Sequence, residues 1–218
     1  MNTKGKKIAF VVGVFPAVSE TWLINQIADL LDRGFDIDIY AFKSQDIDPK
    51  NISDKYREYN MSARTKYIGM PESRILRIIK AAPKIVRLLF VSPRILGRAL
   101  DIKKYNKSAL SLKYFFWSEQ FVGKKYDLIH LHDGSIANKF LVVKDIVGIS
   151  TKFITSFYGQ DVSRRFHDHP GEDIYKRLKK ESSAFIVMSN FTKNRLVAKG
   201  FDESKIHVIW LGKNCCRA

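Results

Sequence analysis

A chain of 218 residues with 45% apolar residues is long enough for one domain and apolar enough to bury a full core, which excludes a disordered protein. Its formal charge of +16 is local: between Ser73 and Lys113 eleven Lys/Arg stand against one acid, Asp101, so a basic surface is expected rather than a uniformly basic protein. Adjacent, near-terminal Cys215 and Cys216 exclude a disulfide framework, and no apolar run approaches the ~20 residues that cross a bilayer.

Residues 7–14 form a nearly continuous β-branched run, the pattern of a strand buried on both faces. Lys4, Lys6 and Lys7, the apolar run to Val18 and the small residues Ala17-Val-Ser19 mimic a signal peptide. The helix and strand that follow at once favour a first strand instead. Ser19 is placed to cap a helix over 21–33, in which Leu23, Ile24, Ile27, Leu30 and Leu31 share a face. Gly34 ends it in a left-handed cap. Residues 35–42 then alternate Ile37, Ile39 and Ala41 against Asp36, Asp38 and Tyr40, a second strand. The unit is βαβ with a right-handed crossover.

Residues 47–65 are polar and aperiodic and read as a mobile excursion, with a short strand at 66–69. In the basic segment 73–121, Pro83 and Pro93 suit first helical positions and Ser92 a cap. That punctuation predicts three short helices at 73–82, 83–91 and 93–100, and a fourth at 108–121. The βα rhythm then returns, with strands at 127–131, 152–156, 184–188 and 205–210. Helices fit 135–147, 172–181 and 190–199, the last followed by Gly200. The expected fold is α/β: a Rossmann-like, doubly wound, mostly parallel sheet with a basic helical insertion. A sheet that ends on a fresh strand and Gly212 is expected to continue, making 1–212 one unit and 213–218 a truncated linker to an absent second one.

Ligands of such sheets bind outside the carboxyl ends of the strands. Four loops fall there. The first, 13–21, leads into a helix N-terminus whose N–H groups, with Ser19 and Thr21, suit an anion or a sugar hydroxyl beyond plain capping. It lacks two glycines of the dinucleotide fingerprint. The second, His130-Leu-His132-Asp133-Gly134, sets two imidazoles on one side of a strand without a third zinc ligand nearby, so hydrogen bonding is expected and no metal. His167-Asp-His169 reads as a solvated loop. The third runs from Thr155 through Tyr158, Gly159 and Gln160 to Asp161. In the fourth, Ser189 or Asn190 caps a helix that carries Lys193 and Arg195 one turn on, toward an anion or toward solvent. No P-loop and no nucleophile elbow is present. On the basic helices Arg77, Lys80, Lys84 and Arg87 fall within a sector of roughly 80°. That sector is either a solvated helix face or a patch for an anionic membrane surface.

Taken in order, Phe15-Pro-Ala-Val-Ser-Glu-Thr-Trp-Leu-Ile-Asn-Gln-Ile27, Arg33-Gly-Phe-Asp-Ile-Asp-Ile-Tyr-Ala41, Tyr126-Asp-Leu-Ile-His-Leu-His132, Thr155-Ser-Phe-Tyr-Gly-Gln-Asp-Val162 and Phe185-Ile-Val-Met-Ser-Asn-Phe-Thr-Lys193 resemble the N-terminal domain of a glycosyltransferase family 4 enzyme of the GT-B fold. The chain looks most similar to the branch that builds exopolysaccharide, capsule or lipopolysaccharide sugars in bacteria. The resemblance implies a retaining, metal-independent hexosyltransferase without a cofactor, with a nucleotide-sugar donor gripped mainly by a C-terminal domain. It implies that this half holds a glycan or lipid-linked acceptor and is inactive alone. Carried onto this sequence, the candidates for catalysis are His132, Tyr158 and Asp161. Candidates for substrate contact are Ser19, Glu20, Thr21, Asp133, Gly134, Gly159, Ser189, Asn190 and Lys193. The chain departs from the family at Tyr158, usually His, and at Asp133, usually Phe; Tyr158 keeps a hydroxyl but cannot ionise like imidazole near neutral pH. The implied setting is cytoplasmic, peripheral on the inner face of the membrane. Nucleic acid is not an expected partner, because the charge comes without a recognisable module. Two alternatives stay open, a non-catalytic anionic-surface module and a GT-B-fold nucleotide-sugar epimerase fragment.

Overall fold

Alternation within one strand sets the architecture. In β1 (Lys7–Val14) the side chains of Ile8, Phe10 and Val12 enter one core, while Ala9 and Val11 enter another on the opposite face. A strand buried on both sides has to sit mid-sheet, and it does. The computed structural model describes residues 5–48, 51–169 and 171–210. In it β1 lies third in a seven-stranded parallel sheet of order β3-β2-β1-β4-β5-β6-β7. The other strands are β2 (Asp36–Lys43), β3 (Thr65–Tyr67), β4 (Leu128–His132), β5 (Phe153–Phe157), β6 (Ala184–Val187) and β7 (Ile206–Val208). Connections run outward in opposite senses from β1 and β4, so a crevice opens between their carboxyl ends. Cys215, Cys216 and segment 213–218 lie outside the described residues.

Helix α1 (Thr21–Asp32) buries Leu23, Ile24, Ile27 and Ala28 against the Phe10 face and stops at Gly34, whose φ of 84° is open only to glycine at little cost. The reading of 47–65 as an excursion is overturned. Two short helices, α2 (Asp54–Glu58) and α3 (Met61–Arg64), follow there, and Ile52, Tyr56, Tyr59 and Met61 pack on the α1-side core. Their apolar residues are too few and too unevenly spaced to show a period. Tyr40, counted among the outward residues of β2, is fully buried and stacks on Phe121 at 4.1 Å.

The basic segment also departs from expectation. Helix α4 (Arg74–Val91) continues through Pro83 instead of ending there. Proline deletes the N–H that would reach the Ile79 carbonyl and crowds that oxygen, but residue 79 is exposed and its carbonyl can turn to water. Contacts of Ala81, Ile85 and Leu88 with α5 (Pro93–Ala99) and the helices beneath anchor both halves. The single helix expected at 108–121 is instead broken up. Asn106 at φ 47° and Leu112 at φ 59° separate α6 (Ile102–Tyr105), α7 (Lys107–Leu110) and α8 (Lys113–Glu119). Then come α9 (Gly134–Val147), α10 (Gln160–Asp168), α11 (Lys176–Glu181) and α12 (Asn190–Ala198). Helix α10 replaces the solvated loop expected around His167 and Asp168. It buries Val162 and half-buries Phe166, too few apolar residues to register as a helix in the sequence.

Glu119 ties α4 down. Its carboxylate is nearly fully buried, 2.8 Å from Lys84 Nζ and 3.4 Å from Arg87. Arg77 donates to the carbonyls of Pro71 and Glu72 at 2.6 and 2.7 Å. So three of the four residues expected to form a basic patch hold the helix in place. Glu119→Gln is expected to cost about 2 kcal/mol, since bonds to charged groups outweigh neutral ones. A urea midpoint unchanged from wild type would show that α4 docks by apolar contact alone.

Candidate functional site

The crevice between β1 and β4 becomes a pocket of about 570 Å³ where the loops after β1, β4 and β5 converge. Ser19, Glu20, His132, Asp133, Tyr158 and Asp161 all line it. Of the strand-end candidates Ser19, Thr21, His132, Tyr158 and Asp161, four therefore share one space. The fifth, Thr21, does not: it opens the first turn of α1 and borders a separate small crevice with Pro16 and Val18. The reason is a 3-10 turn at Val18–Glu20, which rotates the chain before α1 begins. The same turn makes Glu20 the N-cap of α1, and neither it nor Ser19 makes the side-chain capping bond expected of Ser19.

Register carries the imidazoles to the crevice. Phe10 pairs with His130 across β1 and β4, so His130 and His132 lie against its ring at centroid distances of 5.1 and 5.0 Å and 4.1 Å from each other. Both are buried. Burial pushes His130 down to about 3, and burial plus His130 holds His132 well below the ordinary imidazole range, so both rings are neutral at physiological pH. His130 Nε2 meets Ser156 Oγ at 2.7 Å. His132 Nδ1 lies 2.6 Å from the Tyr158 hydroxyl. Burial pushes that hydroxyl above its ordinary range, so it stays protonated, and it shares one hydrogen bond with the neutral ring. Among the described residues the buried His132 Nε2 has no hydrogen-bond partner. Trp22 covers the pair, 6.0 Å from His132 and 4.6 Å from Tyr158. Trp22 is not among the candidate site residues read from the sequence, although its place in the first turn after a strand-end loop is a usable signal.

Asp161 is occupied by backbone. Its carboxylate accepts from the N–H groups of Tyr158 at 3.1 Å, Gly159 at 2.9 Å and Gly134 at 3.2 Å. It therefore clamps the loop after β5 to the first residue of α9. Gly134 and Gly159 contribute donors to this clamp, and Asp161 positions the pocket wall with its oxygens already engaged. Asp133 caps α9 by accepting from Ser135 N at 2.5 Å, and it holds φ 88°, a conformation that costs a non-glycine residue. Glu20, across the pocket, is pushed up by burial and then by Asp133. Three carboxylates and no Lys or Arg among the described residues line this space. An anion, one of the ligands expected at the 13–21 loop, is disfavoured here by charge. Sugar hydroxyls, which can donate to carboxylates, are suited to it.

The fourth loop stays apart. Ser189 caps α12 by accepting from Thr192 N at 3.2 Å, and Lys193 pairs with Glu203 at 2.9 Å. Asn190, Ser189 and Lys193 do not border the His132 pocket. Arg195 donates to Ser163 Oγ at 3.1 Å. Among the described residues no group of three or more His, Cys, Asp or Glu is arranged to hold a metal ion. No helix among them is long and apolar enough to cross a membrane.

The chain is 29% identical over 216 residues to the amylovoran biosynthesis glycosyltransferase AmsK of Erwinia amylovora, covering 94% of this chain and 50% of that protein. To the putative colanic acid biosynthesis glycosyltransferase WcaL of Escherichia coli it is 25% identical over 213 residues, covering 97% and 52%. The chain thus spans about half the length of the curated relatives it matches. Among solved structures, Anabaena HepE in complex with UDP-glucose superposes with a TM-score of 0.50 at 14% identity, over 95% of this chain and 44% of that one. A UDP-N-acetylglucosamine 2-epimerase gives 0.50 at 13% identity, over 94% and 48%. These likenesses speak for the fold, one half of a GT-B architecture. The glycosyltransferase family 4 domain matches residues 19–215, and the chain belongs to that family.

Proposed function

We propose that this chain is the acceptor-side half of a retaining, metal-independent glycosyltransferase that moves a hexose from a nucleotide sugar to a glycan or lipid-linked acceptor. The setting is cell-surface polysaccharide synthesis at the cytoplasmic face of the membrane. The observation that carries this reading is the switch-point pocket. It offers carboxylate acceptors at Glu20 and Asp133, a neutral His132 and hydroxyls at Ser19 and Tyr158, groups that bind sugar hydroxyls and leave them uncharged. The donor diphosphate goes to the second half, because a pocket with three carboxylates repels it. The relatives named for amylovoran and colanic acid synthesis supply the polysaccharide context.

Two measurements test the reading. Calorimetry of the 218-residue chain with uridine and guanosine diphosphate sugars is expected to show no tight binding, and submicromolar affinity would overturn the acceptor-side assignment. A fusion of this chain to the second half of the Escherichia coli relative is expected to transfer sugar. His132→Ala in that fusion lowers the rate at least about tenfold, the worth of one hydrogen bond in a buried site. A fusion indifferent to His132→Ala would move the reacting centre elsewhere.

A further inference from the structure

A second, larger depression opens on the same edge of the sheet, beyond the ends of β2 and β3, with a volume of about 940 Å³. Its charge is the reverse of the acidic pocket. Lys43, Lys80, Lys84, Lys113 and Lys139 line it, against the single acid Glu72. Lys84 is engaged by Glu119; among the described residues the other four have no carboxylate partner. Three of them crowd one spot. Lys113 and Lys139, both half-buried, converge on Trp117, with Nζ atoms 4.8 and 6.0 Å from its centroid. Lys139 also lies 4.9 Å from Phe42, the neighbour of Lys43 in β2. Burial and then Lys113, with Lys43 adding to them, hold the Lys139 ammonium below its ordinary range, and Asp133 offsets only part of this. Cations gathered on aromatic faces repel one another until an anion joins them.

The two spaces abut. Val14 borders the acidic pocket and Lys43 the lysine groove, and they are register partners in neighbouring strands, about 5 Å apart. The start of α9 completes the divide: Asp133, Ser135 and Ile136 face the acidic pocket, and Lys139, one turn on, faces the groove. A molecule lying across this divide meets carboxylates at one end and ammonium groups at the other. That field orients it, because a carboxylate it carries is repelled by Glu20, Asp133 and Asp161 and drawn to Lys43, Lys113 and Lys139. The groove suits a charge carried on a ring more than a compact phosphate. Phosphate is best held by convergent backbone N–H groups and by the planar Arg fork, and no Arg lines this space among the described residues. Its cations are separate point charges, and its walls include the rings of half-buried Phe42 and of Tyr67, 48% exposed, on which the C–H face of a sugar can pack.

We propose that the groove takes a carboxylate-bearing sugar residue of the acceptor glycan, its carboxylate among Lys43, Lys113 and Lys139 and its ring against Phe42 and Tyr67. An uncharged residue of the same glycan then occupies the acidic pocket and presents the hydroxyl to be modified. Selection is divided between the two spaces: the acidic pocket excludes the carboxylate and the groove attracts it. The preference of the groove for a sugar carboxylate stands on its own charge and shape. That the bound saccharide is the acceptor rests on the transferase reading proposed above.

Calorimetry at low ionic strength with cellobiouronate, cellobiose, acetate and inorganic phosphate tests the proposal on the 218-residue chain. Cellobiouronate carries one carboxylate on a disaccharide, cellobiose the same sugars without it, and acetate the charge without the sugars. Cellobiouronate is expected to bind at least about tenfold more tightly than any of the others, a difference of ~1.4 kcal/mol. Lys113→Gln with Lys139→Gln removes two charges from the groove and is expected to weaken cellobiouronate at least about tenfold. Lys124→Gln with Lys125→Gln makes the same change in net charge at exposed positions outside the groove and is expected to leave its affinity within about twofold. Lys43→Gln alone, at the exposed end of β2, keeps the test open should the groove pair fail to fold, with an expected weakening of about threefold. Cellobiose bound as tightly would make the groove indifferent to charge, and acetate or phosphate bound as tightly would make it a site for a free anion; each overturns the proposal. So does an affinity indifferent to the groove lysines, or lowered equally by the outer pair, or an absence of cellobiouronate binding. A fusion that transfers sugar with an acceptor KM unchanged by the groove pair overturns this inference and leaves the transferase reading standing. A chain that binds cellobiouronate as described, in a fusion that never transfers, does the reverse.

Discussion

Asp161→Ala is expected to lower stability by about 3 kcal/mol, although the residue adds nothing to the apolar core. Three backbone N–H groups lose their acceptor at once, and only those of half-buried Tyr158 and Gly159 can turn to water. The Gly134 N–H, at the buried first residue of α9, cannot. Urea denaturation measures the loss; a change below about 1 kcal/mol would show that the loop holds itself without the clamp.

The same carboxyl sets a pH dependence. Burial first and Asp133 second push it up to about 6, above the ordinary 3.8, against the pull of its three N–H bonds. The folded chain therefore binds this proton more tightly than the unfolded chain does. Its contribution to stability is complete below the unfolded value and is lost as pH rises through about 6. Wild type is expected to gain stability relative to Asp161→Asn on acidification from about pH 7 to about pH 4, with the change confined to that window. A flat difference across it would mean that the carboxyl titrates normally.

Gly134→Ala should be comparably severe for a steric reason. A Cβ there would sit 2.5 Å from Phe157 Cε1 and 2.7 and 2.8 Å from the hydroxyl oxygen and Cζ of Tyr175. Both rings are buried, packed edge to face at 5.5 Å, and the Tyr175 hydroxyl donates to the Asp161 carbonyl at 3.0 Å. Neither can withdraw without opening the core or breaking the bond that steadies α10. The expected cost is about 3 kcal/mol, a fall in Tm of roughly 6–12 °C. A Tm within about 2 °C of wild type would show that the rings have room to yield.

Local pattern was enough for the elements themselves. Residues 7–14 form β1, the helix after it ends at Gly34, and the later strands fall within a residue or two of their expected starts, because hydrophobic period and glycine caps act over short spans. The strand-end rule likewise reached Ser19, Glu20, His132, Asp133, Tyr158 and Asp161. Where tertiary contacts outvote local preference, the sequence misleads. Pro83 lies inside a helix because packing of Ala81, Ile85 and Leu88 below anchors both halves, and residues 108–121 break at the left-handed Leu112, which no glycine announces.

Most of the chemistry was decided by the fold alone. That His132 is neutral follows from its burial beside His130 and Phe10, a contact created by the pairing of β1 with β4 across more than a hundred residues. That Asp161 clamps two loops follows from three N–H groups arriving from separate segments. Lysines spread from 43 to 139 make a groove only when β2, α4, α8 and α9 meet. The sequence determines by itself which residues can form strands, caps and strand-end loops, since those depend on neighbours along the chain. Which charges share a space, and which side chains lose water, depends on neighbours in three dimensions, and only the tertiary structure decides that.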